Sequence, residues 1–219
     1  MNRHNFLILP LLSILLFPAC DGNNNDQPEP IILSEYVEVY DENLISDDYI
    51  FVVENNSTNS YLINKEGFKL WEWNFDTNSG NDLEILNNGN IVGLFKATDP
   101  IIDFGGFGGA AKIIDKNGNV LWEYSVSDND FIAHHDVEML PNGNILLMVW
   151  ERITNDIAVS NGADFNTDIF TEKIIEVNPS NNEVVWEWRS WDHIIQDKFE
   201  GLANYGDLNS NPGKIDINY

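Results

Sequence analysis

The chain has 219 residues, and 11 Lys and Arg against 36 Asp and Glu leave a formal charge of −25, which a phosphate backbone or an anionic membrane surface repels, so nucleic-acid binding is excluded. With 43% hydrophobic residues and seven Trp it has the apolar surface for a core, so its acidity does not signal disorder. The single cysteine, Cys20, excludes an internal disulfide and any CxxC zinc or redox site.

In chain order, Arg3 and His4 precede an apolar run from Phe6 to Ala19 that is shorter than the roughly 20 residues a bilayer-spanning helix needs. It reads as a signal peptide. Because the run ends Leu16-Phe17-Pro18-Ala19-Cys20, with a small residue before the cysteine, it is similar to a bacterial lipoprotein signal over residues 1–20. Cys20 is then the lipidated first residue of a mature protein in the periplasm or on the cell surface, touching the membrane only through its lipid anchor. Residues 21–34 are rich in Asn, Asp and Pro and predict a disordered tether.

Beyond the tether the sequence repeats. Leu62-Ile63-Asn64-Lys65-Glu66-Gly67-Phe68-Lys69-Leu70-Trp71-Glu72-Trp73 aligns without a gap on Ile113-Ile114-Asp115-Lys116-Asn117-Gly118-Asn119-Val120-Leu121-Trp122-Glu123-Tyr124. A third copy runs from Ile174-Ile175-Glu176-Val177 to Val184-Val185-Trp186-Glu187-Trp188 around the longer turn Asn178-Pro179-Ser180-Asn181-Asn182. Between these copies a second unit recurs, Asp82-Leu83-Glu84-Ile85-Leu86-Asn87-Asn88-Gly89-Asn90-Ile91-Val92 matching Asp136-Val137-Glu138-Met139-Leu140-Pro141-Asn142-Gly143-Asn144-Ile145-Leu146. Each unit is a short β-branched or aromatic run, an Asn-Gly or Asn-rich turn tolerant of positive φ, and another run, which is a hairpin signature.

Two alternating hairpins make a four-stranded sheet, and repetition of such sheets predicts an all-β fold, a β-propeller with about three blades at residues 48–75, 82–126 and 135–190. Alternation puts Trp71 with Trp73, Trp122 with Tyr124, and Trp186 with Trp188 on one face of the closing strands, where a position repeated in every blade packs against the neighbouring blade. No 3.6-residue apolar period runs over ten residues beyond the signal peptide, so almost no helix is expected, and the residues after Ser190 read as loop. Three blades leave open edges. Either the chain is part of a longer one, the preferred expectation, or half-propellers pair as a homodimer.

Candidate chemistry rests on histidines. His134-His135-Asp136 opens the innermost strand of the third predicted blade, a place that faces the central channel of a propeller, and alternation predicts that the two imidazoles point to opposite faces. His193, in Trp191-Asp192-His193, follows a closing strand and is a candidate substrate-binding residue. No HExxH or EF-hand spacing occurs, so no metal site is predicted. The run Gly105-Gly106-Phe107-Gly108-Gly109 lacks the Lys-Ser/Thr of a phosphate loop and reads as a flexible inter-strand loop. Arg152 and Arg189 read as ion-pair partners.

Together, the run from His134 to Leu146, Ile174 to Pro179, Val184 to Trp188, Trp191-Asp192-His193 and the closing Ile215-Asp216-Ile217-Asn218-Tyr219 resemble bacterial arylsulfotransferases (aryl-sulfate sulfotransferases) across roughly residues 35–219. The resemblance implies a six-bladed propeller that moves a sulfuryl group from an aryl sulfate to a phenol by a ping-pong sulfohistidine mechanism, with no cofactor. It makes His135, beside Asp136, the expected catalytic histidine and His134 the reserve. The family's nucleophilic histidine, its arginine and its His-x-Asn pair fall in blades beyond Tyr219. A second resemblance, of Ile114 to Trp122 to the blades of pyrroloquinoline-quinone-like propellers, implies instead a non-catalytic scaffold or quinone-holding module; a histidine pair at the channel discriminates between the two.

Overall fold

A computed structural model describes residues 29–218. The apolar run, Cys20 and most of the predicted tether lie outside the described residues. Residues 34–49 carry no strand, and the Ser34 N–H donates to the Glu66 carbonyl at 2.9 Å.

The chain is all-β. Strands β1 (Ile50–Val53), β2 (Asn59–Ile63) and β3 (Lys69–Asn74) form a three-stranded antiparallel sheet. Strands β4 (Ser79–Ile85), β5 (Ile91–Lys96), β6 (Gly109–Ile114) and β7 (Val120–Ser125) form a four-stranded second sheet, each strand beside its chain neighbour. The third sheet repeats this order with β8 (Phe131–Met139), β9 (Ile145–Ile153), β10 (Ile169–Asn178) and β11 (Glu183–Arg189).

The turn chemistry explains the hairpins. In the tight turns after β2, β4, β6 and β8, a backbone N–H at the fourth position returns to the carbonyl at the first, and Gly67, Gly89, Gly118 and Gly143 take φ between +81° and +89°. The left-handed residue closing each turn is a conformation that costs glycine nothing.

The sheets stack on their faces, with the core between them. Along β5, Ile91 and Phe95 face the first sheet and pack with Trp73, Phe75, Leu83 and Ile114. Val92 and Leu94 point the other way and pack with Ala133, Val137, Ile145, Leu147 and Val149 of the third sheet. A sheet covered on both faces needs the near-continuous apolar run Ile91-Val92-Gly93-Leu94-Phe95. The closing-strand aromatics divide unequally. Trp73 is buried, and Trp122 and Tyr124 pack on the core between the second and third sheets. Trp71, though half exposed, donates from Nε1 to the Lys116 carbonyl in the β6–β7 turn at 3.2 Å, and Trp122 donates from Nε1 to Asn182 Oδ1 in the β10–β11 turn at 2.7 Å. Each of these indoles ties one sheet to the outer turn of the next.

A short helix α1 (Asn155–Ser160) follows β9 and is the one α-helix among the described residues, in keeping with the expectation of almost no helix. The tail after Ser190 departs from the sequence expectation, since it is not plain loop: β12 (Ile194–Ile195) pairs in parallel with β13 (Ile215–Asp216). Ile153, Ala158, Ala163, Ile194 and Ile217 form a separate apolar cluster there. Buried Gln196 organises the loop beyond β12: its Nε2 donates to the carbonyls of Phe199 and Ala203, and its Oε1 accepts from the backbone N–H groups of Lys198 and Phe199. Among the described residues no helix is long and apolar enough to cross a membrane.

Candidate active site

Strands β4 and β5 pack against β8, and β4 and β8 carry the same irregularity. Ser79 pairs with Phe95 and Leu83 with Gly93, so Gly80, Asn81 and Asp82 stand opposite Leu94 alone. Ala133 pairs with Val149 and Val137 with Leu147, so His134, His135 and Asp136 stand opposite Met148 alone. Such bulges bend a strand and re-aim its side chains. The histidine pair therefore lies inside β8, not at its start.

At the third-sheet bulge His135 takes φ +55°, a left-handed conformation uncommon for a residue with a Cβ. This turn brings the two imidazoles together, with their Nδ1 atoms 2.8 Å apart and their rings perpendicular. The expectation of opposite faces fails here, because alternation belongs to the regular pleat and the bulge interrupts it.

His134 is 1% exposed and stacks on Trp150 at 4.1 Å. Its Nε2 lies 2.9 Å from Glu172 Oε2 without hydrogen-bond alignment, and both atoms are buried with no other partner. The other carboxylate oxygen, Glu172 Oε1, accepts from Trp150 Nε1–H at 3.2 Å. Phe104 stacks on Trp150 at 4.5 Å and meets Phe170 edge-on, completing an aromatic wall. Burial pushes the His134 imidazole below its ordinary pKa; the Glu172 carboxylate pulls it back and His135 depresses it further. A neutral imidazole at pH 7 follows.

His135 is exposed, and the glycine run of residues 105–109 supports it. The His135 N–H donates to the Gly106 carbonyl at 3.1 Å, Asn81 Nδ2 donates to the same oxygen at 3.2 Å, and the Gly108 N–H donates to the Ala133 carbonyl at 2.9 Å. A Cβ on Gly106 would stand 2.0 Å from Asn81 Nδ2 and 2.4 Å from His135 Nε2, and one on Gly105 would stand 2.7 Å from the Trp150 ring. The run read as a flexible loop is thus a close-fitting backbone surface, and glycine is needed there for approach.

The two bulges also bring Asp82 and Asp136 together. The Asp82 carboxyl is pushed up to about 6, chiefly by burial; the Val137 N–H at 3.4 Å opposes this, while the Asp136 carboxyl within bonding reach and the Glu84 charge add to it.

The other sequence candidates lie elsewhere. His193 stacks on Trp188 at 5.2 Å, just past β11. It sits in the 3-10 turn Ser190–His193, which follows β11 and lies against β10. Arg189 forms a two-point contact with Glu151, from Nε at 2.9 Å and Nη2 at 2.7 Å, and Arg152 pairs with Asp168. Among the described residues no three His, Cys, Asp or Glu side chains converge on a metal position.

Sequence reasoning missed Asn81 and Glu172. Asn81 was reachable, since it precedes Asp82 as His135 precedes Asp136 in the repeat. Nothing local marks Glu172. The arrangement runs from a carboxylate through a buried imidazole to an exposed one beside an aromatic wall, and such an arrangement is able to carry a proton at the exposed ring.

The family model described as arylsulfotransferase (ASST) matches residues 36–216. No curated protein matches the chain.

Proposed function

The chain belongs to the arylsulfotransferase family, and from that premise we propose that it takes part in sulfuryl transfer from an aryl sulfate to a phenol, with His135 moving the proton. The observation that carries this reading is the contact between buried His134 and exposed His135 at the β8 bulge. In our reading the three stacked sheets are blades of a propeller, and blades outside this chain supply the histidine that carries the sulfuryl group.

In the first half-reaction a protonated His135 donates to the departing phenolate oxygen; in the second it takes the proton of the acceptor phenol. The charge of −25 repels a sulfate ester from most of the surface, so binding depends on local donors such as the Asn81 amide and the imidazoles. Phe104 and Phe170 offer ring faces to the aryl group. His193 is the proposed further substrate contact.

The assay is nitrophenolate release from 4-nitrophenyl sulfate with a phenol acceptor, in the full-length protein. Losing a positioned proton carrier removes about 3 kcal/mol of transition-state stabilisation, so His135→Ala lowers turnover roughly a hundredfold, while the melting temperature falls by a few degrees at most as His134 Nδ1 loses its partner. Turnover preserved in both His135→Ala and His134→Ala refutes the assignment, and no release with any phenol favours the scaffold reading. We also propose that lipid on Cys20 anchors the protein in the periplasm or on the cell surface; Cys20→Ser then moves it from the membrane to the soluble fraction, and unchanged fractionation overturns this.

A further inference from the structure

We propose that Glu172 is a positioning residue acting through His134: its carboxylate accepts a hydrogen bond from His134 Nε2–H, which makes His134 Nδ1 an acceptor for Nδ1–H of His135 and leaves a bare lone pair on His135 Nε2.

Three observations lead there. First, His134 Nε2 and Glu172 Oε2 are both buried, lie 2.9 Å apart and have no other partner. A buried polar atom left unpaired costs free energy, and a carboxylate only accepts, so the proton that satisfies both sits on His134 Nε2. Rotation about the soft terminal torsion of Glu172 supplies the missing alignment. Second, the carboxylate is held in place, because its other oxygen accepts from Trp150 Nε1–H and Trp150 stacks on the same imidazole. Third, a neutral imidazole has one donor and one acceptor. With Nε2–H committed to Glu172, His134 Nδ1 can only accept, and the 2.8 Å contact between the Nδ1 atoms requires His135 to donate. The depressed pKa of His134 agrees with the neutral ring this needs.

His135 is therefore held in the tautomer opposite to the one a free histidine prefers in water. When a phenol approaches, its O–H bond breaks, an N–H bond forms at His135 Nε2, and the electron pair stays on the phenolate oxygen. The resulting imidazolium keeps its Nδ1–H bond to His134, whose other nitrogen faces the negative charge of Glu172. The place of this step in sulfuryl transfer rests on the function proposed above, whereas the arrangement of protons does not.

The test is the tautomeric state of the histidines in the 15N-labelled full-length protein at pH 8, read by long-range proton–nitrogen correlation and assigned by the signals that disappear in His134→Gln and His135→Gln variants. We expect Nδ1 protonated and Nε2 bare on His135, with the reverse on His134. In Glu172→Gln the amide can donate to His134 Nε2, so the proton order reverses, Nε2–H becomes the major form of His135, and turnover falls at least tenfold. A wild-type His135 protonated on Nε2 overturns the proposal, as does a Glu172→Gln protein with both tautomers unchanged. If Glu172→Gln does not fold, the wild-type spectrum decides alone. The expected tautomers in a protein without sulfuryl-transfer activity uphold the positioning role and sink the sulfotransferase reading.

Discussion

Asp82 gives the most direct test of the electrostatics at the paired bulges. Its carboxyl titrates near 6 in the folded protein, against an ordinary value of 3.8, so between about pH 4 and 6 the folded state binds the proton that the unfolded state has released. Stability then falls as pH rises through this window; it is fully present below about 4 and lost above about 6. Ionising a carboxyl moved this far costs about 3 kcal/mol. Asp82 is only half-buried, and water reaching it screens the effect to about 1–1.5 kcal/mol. Asp82→Asn keeps the shape and an acceptor for the Val137 N–H while removing the charge. At pH 8 the variant should gain about 1–1.5 kcal/mol, about 3–5 °C in melting temperature for a chain of this size, and at pH 4 it should gain nothing. Because burial is the largest cause of the shift and Asp136 a smaller one, Asp136→Asn should give under half of that gain. Thermal melts at the two pH values measure both. An equal gain at pH 4 and pH 8, or a loss at pH 8, would refute the buried-carboxyl account.

Other outcomes follow from packing. Gly106→Ala puts a methyl group against the movable ends of Asn81 and His135, so it should cost only about 1 kcal/mol of stability yet lower turnover about a hundredfold through misplacement of the imidazole; unchanged turnover would remove the loop from the site. Leu147→Ala empties a fully buried position between the second and third sheets and should cost about 3 kcal/mol, near 9 °C in melting temperature. Trp122→Phe loses the bond to Asn182 and should cost about 1 kcal/mol; Asn182→Gly, which suits the left-handed backbone there at φ +59°, should cost little more when added to it, and a fully additive pair would mean that the bond contributes nothing.

The all-β class and the tight turns were legible because Asn-Gly pairs at a fixed offset between β-branched runs are a local signal, and local signals survive in sequence. The bulges were not. His134-His135-Asp136 and Gly80-Asn81-Asp82 read as ordinary strand residues, and only the pairing partners Met148 and Leu94 reveal two surplus residues in each. Assigning His134 and His135 to opposite faces followed from that missed insertion. Glu172 is separated from His134 by strand β9 and helix α1, and an acidic residue in an acidic chain carries no mark. Helix α1, with six residues, is too short to display a period, and β12 and β13 owe their existence to contacts between distant segments.

The indole ties at Trp71 and Trp122 have a consequence for how change is distributed over this molecule. The Trp71 acceptor is a main-chain carbonyl, so that tie fixes where its turn sits and leaves the side chains there free, whereas the Trp122 tie needs the Asn182 amide. Within the third sheet, β11 beside the tied turn and β8 with its bulge are separated by two intervening strands, about 14 Å at ordinary spacing. Substitutions at points so far apart, without shared partners, combine additively. The tied turn at Asn182 and the histidine pair are therefore independently variable: a change at Asn182 shifts the melting curve without touching proton transfer, and a change at the exposed His135 ring retunes the chemistry without loosening that tie.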